Sequence, residues 1–71
     1  MKARRLLRVL CSEPLNYVVV RQSGSHRRLQ ADEYPAFSFA FHDGRTLAPR
    51  EVRTVLVGYV GLAEDDALGL L

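Results

Sequence analysis

The spacing of apolar residues predicts an amphipathic helix at the start of the chain. Within residues 2–13, KARRLLRVLCSE, apolar side chains recur three and four positions apart, and arginines occupy the other side. The apolar positions are Ala3, Leu6, Val9 and Leu10. Because proline disfavours helical geometry in the residue before it, we expect this helix to end at Pro14.

Three strands are expected next. YVVVR (17–21) is a β-branched run typical of a buried strand, and QSGS (22–25) has the composition of a hairpin turn. Gly24 can adopt the positive φ that such a turn requires, so the second strand is expected over about His26 to Gln30. The strict alternation of AFSFAF (36–41) predicts a half-buried third strand. Its core-facing positions are Phe37, Phe39 and Phe41.

A second helix is predicted to begin at Pro49, since proline is favoured at the first helical position. Gly61 is placed to cap its C-terminus, and the tail LAEDDALGLL (62–71) predicts either one further short helix or a frayed end. The apolar positions at helical spacing in between are Val52, Val55, Leu56, Tyr59 and Val60.

These elements predict a single α+β domain over residues 1–71, with the order α-β-β-β-α. Two helices packed on one face of a three-stranded antiparallel sheet bury one shared core and leave the other sheet face open. The order is that of the double-stranded RNA-binding domain, although a fold alone does not determine a function. The expected core comprises Leu6, Val9, Leu10, Phe37, Phe39, Phe41, Val52, Leu56 and Tyr59.

Composition excludes several classes of protein. With 48% hydrophobic and 25% charged residues, the 71-residue chain has the make-up of a globular domain rather than a disordered one. No apolar run approaches the roughly 20 residues that span a bilayer. The lone Cys11 forms no internal disulfide, and with only two histidines it completes no zinc site. We therefore expect a cytoplasmic protein with no metal, cofactor or membrane segment.

Positive charge is concentrated in the first part of the chain. Residues 1–28 hold seven basic side chains and one acid, whereas the remainder holds three arginines and seven acids. Nine of the ten basic residues are arginine, whose planar guanidinium suits two-point contact with phosphate. The asymmetry indicates an anionic partner near the N-terminal half, and a solvated helix face with loop charges explains the same count.

The open sheet face is expected to gather residues suited to phosphate chemistry. In the second strand, His26 and Arg28 share one face, and Leu29 belongs to the other, under the helices. The third strand is expected to add Ser38 and His42 to the open face. Histidine transfers protons near neutrality, and an adjacent guanidinium can neutralise charge that develops on a phosphoryl group.

These residues also have plainer interpretations. Ser25 and the backbone amides around Gly24 can donate hydrogen bonds to a phosphate, but they equally belong to a turn. An exposed histidine beside a turn is usually inert, and His42 has the position of a polar turn residue in HDGR. The arginines of the first helix form either a solvated face or a surface for an RNA backbone. Asp65 and Asp66 suggest a helix N-terminus rather than a metal pair.

Several features together resemble the HicA family of toxins, over roughly residues 3–71. A basic first helix precedes the strand and turn VVVRQSGSH (18–26), and the third strand ends in histidine. A last helix closes with GYVGL (58–62) and an acidic AEDD segment (63–66). Gly-Ser-His directly after a β-branched strand is the most specific of these features.

The resemblance implies a ribonuclease of a toxin–antitoxin pair, with a double-stranded RNA-binding-like fold. Such toxins cleave mRNA without a metal and are silenced by a HicB antitoxin that covers the active face. By the same resemblance, His26 is the catalytic acid or base that acts on the ribose 2′-hydroxyl and the phosphate. The predicted RNA-binding residues are Arg21, Gly24, Ser25, Arg27, Arg28 and His42. Two alternatives remain open: a non-catalytic module that binds RNA or protein, and a structural protein unrelated to RNA.

Overall fold

The computed structural model of the protein describes all 71 residues and has the order α-β-β-β-α followed by one short helix. The elements are α1 (Ala3–Leu10), β1 (Val18–Ser23), β2 (His26–Gln30), β3 (Phe37–Phe39), α2 (Pro49–Arg53), a π-helical segment (Thr54–Tyr59) and α3 (Glu64–Gly69). The strands form one antiparallel sheet in the order β1-β2-β3. The predicted α+β class is confirmed. None of the helices has the length and hydrophobicity needed to cross a bilayer.

A single hydrophobic core lies on one side of the sheet. β2 and β3 direct Leu29, Phe37 and Phe39 into it, where they join buried side chains of α1, α2 and the π-helical segment. The fully buried residues are all aliphatic or aromatic, so apolar packing dominates the core. Residues that the periodicity does not mark complete it from the loops and the tail: Leu15, Tyr17, Leu47 and Ala67.

Two residues of the expected core, one aliphatic and one aromatic, lie at its margin. Val9 is only half-buried, because the buried face of α1 is formed by Ala3, Leu6 and Leu10. β3 ends at Phe39, and Phe41 lies beyond it, half-buried, with its ring edge-on to Phe39 at 5.4 Å between centroids. Phe41 has no strand partner because β2 begins at His26, so the backbone pairing stops near that point.

A bulge in β1 allows Tyr17, just before the strand, and Arg21, within it, to lie on opposite faces of the sheet. In a regular strand Tyr17, Val19 and Arg21 would share a face. The pairing with β2 shifts between Val19 and Arg21, which leaves Val20 as an extra residue. Tyr17 therefore enters the core, and its hydroxyl donates to the Pro35 carbonyl at 2.7 Å, while Arg21 faces the open side.

β1 is an edge strand that no helix covers. All six of its residues are exposed, including Val18, Val19 and Val20 at 56%, 42% and 52%. The prediction that this β-branched run is buried is therefore wrong. The core side chains of the sheet come from β2 and β3, and β1 lies beyond them at the edge.

The last long helix changes its winding part of the way along. In the π-helical segment the Val60 N–H donates to the Val55 carbonyl at 2.9 Å, five residues back. The wider turn brings Val55 and Val60 to one buried face and leaves Tyr59 48% exposed. The prediction of Tyr59 as a core residue is wrong because it assumed about 3.6 residues per turn. Gly61, with a φ of 89°, ends this helix as predicted.

A two-residue turn connects β1 to β2. Ser23 pairs with His26 across it, and Gly24 has a φ of 60° while Ser25 does not adopt a positive φ. A positive φ at the first central position alone defines a type II′ turn, which favours glycine there. The Gln22 side-chain amide donates to the Gly24 carbonyl at 3.1 Å and supports the turn. β2 begins at His26, as predicted.

Candidate functional site

The open sheet face carries a shallow depression with an entirely polar lining. It has a volume of about 360 Å³ and lies at the turn end of β1 and β2, beside β3. The lining residues are Arg21, Ser23, His26, Arg27, Arg28 and Ser38. We call this depression the hairpin groove.

Strand pairing arranges the groove residues in two rows across the sheet. The first row, next to the turn, is Ser23 of β1 opposite His26 of β2. In the second row Arg21 lies opposite Arg28, which in turn lies opposite Ser38 of β3. Because directly opposed residues of an antiparallel sheet point to the same face, all five side chains project into the hairpin groove.

The second row is an unfavourable arrangement in the free protein. Arg21 and Arg28 are like charges placed directly opposite each other, which destabilises a strand pair. Neither of them forms an ion pair. The carboxylates that do form ion pairs engage other arginines: Asp43 with Arg27, Glu51 with Arg45, and Glu64 with Arg53. An anion bound between Arg21 and Arg28 would relieve the repulsion.

His26 is the one side chain of the hairpin groove whose chemistry suits proton transfer. It is the first residue of β2 and is exposed, and Arg28 follows on the same face of the strand. Imidazole is the side chain best suited to taking and giving a proton at neutral pH. With Arg28 beside it and no acid in the lining, His26 lies in a positively charged setting that would suit an anionic ligand.

Gly24 and Ser25, both expected to contact RNA, form the turn at the end of the groove but do not line it. Gly24 acts through its backbone, because its positive φ closes the turn tightly. That closure sets Ser23 opposite His26. The two turn residues thus position the first row, and the side chains of that row line the groove.

Arg27 borders the groove, but its guanidinium is directed to the covered side of the sheet. Arg27 lies opposite the buried Phe39, its Nη2 is 2.9 Å from Asp43 Oδ1, and its side chain is 13% exposed. Its Nη1 is buried without a hydrogen-bond partner. Arg27 therefore ties β2 to the loop after β3. The ion pair indicates a structural role for Arg27, and its contact with RNA stays a prediction.

His42 does not reach the hairpin groove. β3 ends at Phe39, and His42 lies beyond it, where its carbonyl accepts the Arg45 N–H at 3.0 Å in the HDGR turn. The groove lining does not include it. The expectation of two histidines on one exposed face is corrected to one histidine, because β3 is shorter than its alternation suggests.

Ser23 is a groove residue that the sequence pattern does not mark. Its composition assigns it to the turn, whereas it is the last residue of β1 and faces His26. The available signal is the length of the turn: once Gly24 and Ser25 occupy it, the residues on either side must pair. Ser38, expected on the open face, lines the groove.

No group of three or more His, Cys, Asp or Glu side chains is close enough to hold a metal ion. The consecutive acids Asp65 and Asp66 lie in the first turn of α3, as predicted. Carboxylates at that position interact favourably with the helix dipole. They therefore have a structural role at a helix start.

No family model, curated protein or solved structure matches this chain. The resemblance to HicA toxins therefore rests on the sequence features alone, chiefly Gly24, Ser25 and His26 after a β-branched strand. The structure adds a geometry to it. One histidine, two arginines outside any ion pair and two serines share a groove without acids.

Proposed function

We propose that the protein is a metal-independent endoribonuclease of the HicA type, a toxin that inhibits translation by cleaving mRNA. The observation that carries this proposal is the hairpin groove, where His26 shares an acid-free surface with Arg21 and Arg28. A proton-transferring side chain beside two cations suits an anionic phosphodiester. The Gly-Ser-His triplet that leads into β2 supports the family assignment.

In the proposed reaction His26 acts on the ribose 2′-hydroxyl. Its imidazole takes the proton as the 2′-oxygen attacks the phosphorus, so the P–O2′ bond forms and the P–O5′ bond breaks. The products are a 2′,3′-cyclic phosphate and a 5′-hydroxyl, whose proton comes from solvent or from the imidazolium. Arg21 and Arg28 hold the anionic backbone and raise the positive potential at the reacting phosphorus.

The proposed protein partner is a HicB-like antitoxin that covers the hairpin groove in the cytoplasm. β1 supports this proposal, because Val18, Val19 and Val20 are exposed on the strand that forms one wall of the groove. An apolar strip beside a charged groove has the composition of an interface core with a polar rim. A partner seated on β1 would bury the strip and close the groove together.

The second candidate function is a non-catalytic module of the same fold that binds RNA or a protein. The edge position of β1 favours it, since an unpaired strand edge pairs readily with an extended segment of another chain. Binding alone therefore does not distinguish the two candidates. Turnover does.

Cleavage of RNA but not of DNA is the expected result for the purified protein. A mixed-sequence single-stranded RNA and the DNA of the same sequence are incubated with it in EDTA, because only RNA carries the attacking 2′-hydroxyl. Gel electrophoresis measures the cleavage, and end-group mapping identifies the cyclic phosphate. RNA that is bound but stays intact would replace the ribonuclease with the binding module. Cleavage that requires an added metal would contradict the proposed mechanism.

Deletion of one residue from β1 tests whether RNA binding depends on the face of the sheet to which Arg21 belongs. Without Val20 the bulge is gone and a regular strand still places Arg21 opposite Arg28, so the groove is retained. Without Gln22 the bulge is also gone, but Arg21 moves opposite Arg27, on the covered side. We expect the second deletion alone to weaken binding of a single-stranded RNA by about 10- to 100-fold, the range for a hydrogen bond to a charged group.

Both deletion variants shorten β1 by one residue and remove the bulge, and Gln22→Ala controls for the side-chain hydrogen bond to the Gly24 carbonyl that the second deletion also removes. Fluorescence anisotropy gives the affinity of a 2′-O-methyl RNA, and thermal unfolding shows that both variants are folded. Equal affinities of the two folded variants would show that Arg21 does not contact the RNA.

A further inference from the structure

The two rows of the hairpin groove lie at different positions along the strands. His26 and Arg28 are two residues apart on one face of β2, so the rows are separated by roughly 7 Å, at about 3.4 Å per residue. This separation is comparable with the spacing of consecutive phosphates along an extended nucleic-acid strand. The groove therefore has the length to accept two phosphates.

The rows also differ in chemistry. The first row offers an imidazole and the Ser23 hydroxyl, and it has no permanent cation. The second row offers two guanidiniums and the Ser38 hydroxyl, all of which donate hydrogen bonds. The second row is thus suited to holding an anion, and the first to reacting with one.

We propose that the second row holds the phosphate next to the scissile one, so that the protein recognises two consecutive phosphates. This inference rests on the proposed ribonuclease function. The cross-strand repulsion between Arg21 and Arg28 is relieved by an anion seated between them. Ser38, directly opposite Arg28, donates its hydroxyl to a non-bridging oxygen of the same phosphate. The substrate class is an RNA strand of at least three nucleotides.

The lining of the groove also indicates which features of an RNA strand the protein does not recognise. It contains no aromatic residue, so it lacks the rings on which RNA-binding domains commonly stack bases. Contacts to phosphate position a nucleic acid without reading its sequence. The spacing of phosphates, rather than the identity of the bases, is therefore the property that the groove recognises.

Uncleavable trinucleotides test this inference. One 2′-O-methyl trinucleotide has two phosphodiesters, and two others of the same sequence have a neutral methylphosphonate at one or the other linkage. Binding is measured by NMR titration of the isotope-labelled protein. We expect each neutral linkage to weaken binding, by about 10- to 100-fold where the charge is lost from the second row.

Variants assign the effect to the second row. In Arg21→Ala and Ser38→Ala, the preference for the fully charged trinucleotide is expected to shrink. Arg50→Ala is the matched control, because this exposed arginine on α2 forms no ion pair and lies outside the groove. It removes the same charge as Arg21→Ala and is expected to keep the full preference.

Two results would overturn the inference: equal binding of all three trinucleotides by the wild type, or equal loss of preference in Arg21→Ala and Arg50→Ala. Because the ligands lack a free 2′-hydroxyl, the binding result does not depend on turnover. A protein that prefers two charges and cuts no RNA would retain the second phosphate position and lose the ribonuclease function. A protein that cuts RNA but has no such preference would retain the ribonuclease function and lose the second phosphate position.

Discussion

Replacing His26 with alanine is expected to lower the rate of RNA cleavage by about 10²- to 10⁴-fold, the range that a positioned general acid or base contributes. The free energy of unfolding is expected to stay within about 0.5 kcal/mol of the wild-type value, because the side chain is exposed and lies outside the core. Cleavage is measured in EDTA under single-turnover conditions, and stability by urea unfolding.

His42→Ala is the matched control for this substitution. It removes the other of the two histidines, which is also exposed but lies beyond β3 and outside the hairpin groove. Its cleavage rate is expected to stay close to that of the wild type. Equal losses in His26→Ala and His42→Ala, or full activity in His26→Ala, would remove His26 from the proposed mechanism.

Replacing Tyr17 with alanine is expected to lower the free energy of unfolding by about 3–5 kcal/mol, the range for truncating a large buried aromatic side chain. Tyr17 is 1% exposed, and its ring meets Phe37 edge-on at 5.2 Å between centroids. Burial, with a smaller contribution from the neighbouring Tyr34, raises the pKa of the Tyr17 hydroxyl. The loss is a large share of the roughly 5–15 kcal/mol that typically stabilises a domain.

Tyr17→Phe is the control for this prediction. It keeps the ring and removes only the hydrogen bond to the Pro35 carbonyl, so a loss of about 1 kcal/mol is expected. Urea unfolding measures both variants. If Tyr17→Ala costs no more than Tyr17→Phe, then Tyr17 is not a core residue, and the bulge at Val20 does not place Tyr17 and Arg21 on opposite faces of the sheet.

The hairpin is the part of the fold that local sequence chemistry predicts best. Gly24 is a natural residue for a positive φ, and the turn it forms determines which residues of the two strands pair. Alternation then assigns faces to the residues of β2. For this reason His26, Arg28 and Ser38 are predicted on the open face and lie there in the structure.

The bulge and the π-helical segment depend on packing that no local pattern reveals. Three consecutive valines look the same in a regular and in a bulged strand, and only the burial of Tyr17 together with the exposure of Arg21 requires an extra residue. Similarly, helical periodicity assumes constant winding, whereas the burial of both Val55 and Val60 accompanies a wider turn.

Arg27 marks the limit of sequence reasoning about the candidate site. The resemblance includes it among the RNA-binding arginines because it lies between His26 and Arg28 in the motif. Alternation places it on the covered face, and Asp43, which approaches from the loop after β3, forms an ion pair with it there. Alternation therefore separates Arg27 from its two neighbours, whereas its ion pair with a loop carboxylate is a tertiary property that the sequence alone does not reveal.

The most direct test of a ribonuclease centred on His26 uses DNA strands that carry a single ribonucleotide. Four strands, one for each base at the ribonucleotide, are incubated in EDTA with the wild type and with His26→Ala. We expect the wild type to cut only at the linkage that follows the ribonucleotide and to leave a 2′,3′-cyclic phosphate, and His26→Ala to cut the same linkage about 10²- to 10⁴-fold more slowly. Cleavage at deoxyribonucleotide linkages, equal cleavage by His26→Ala, or four strands that the wild type binds without cutting would contradict the proposed function.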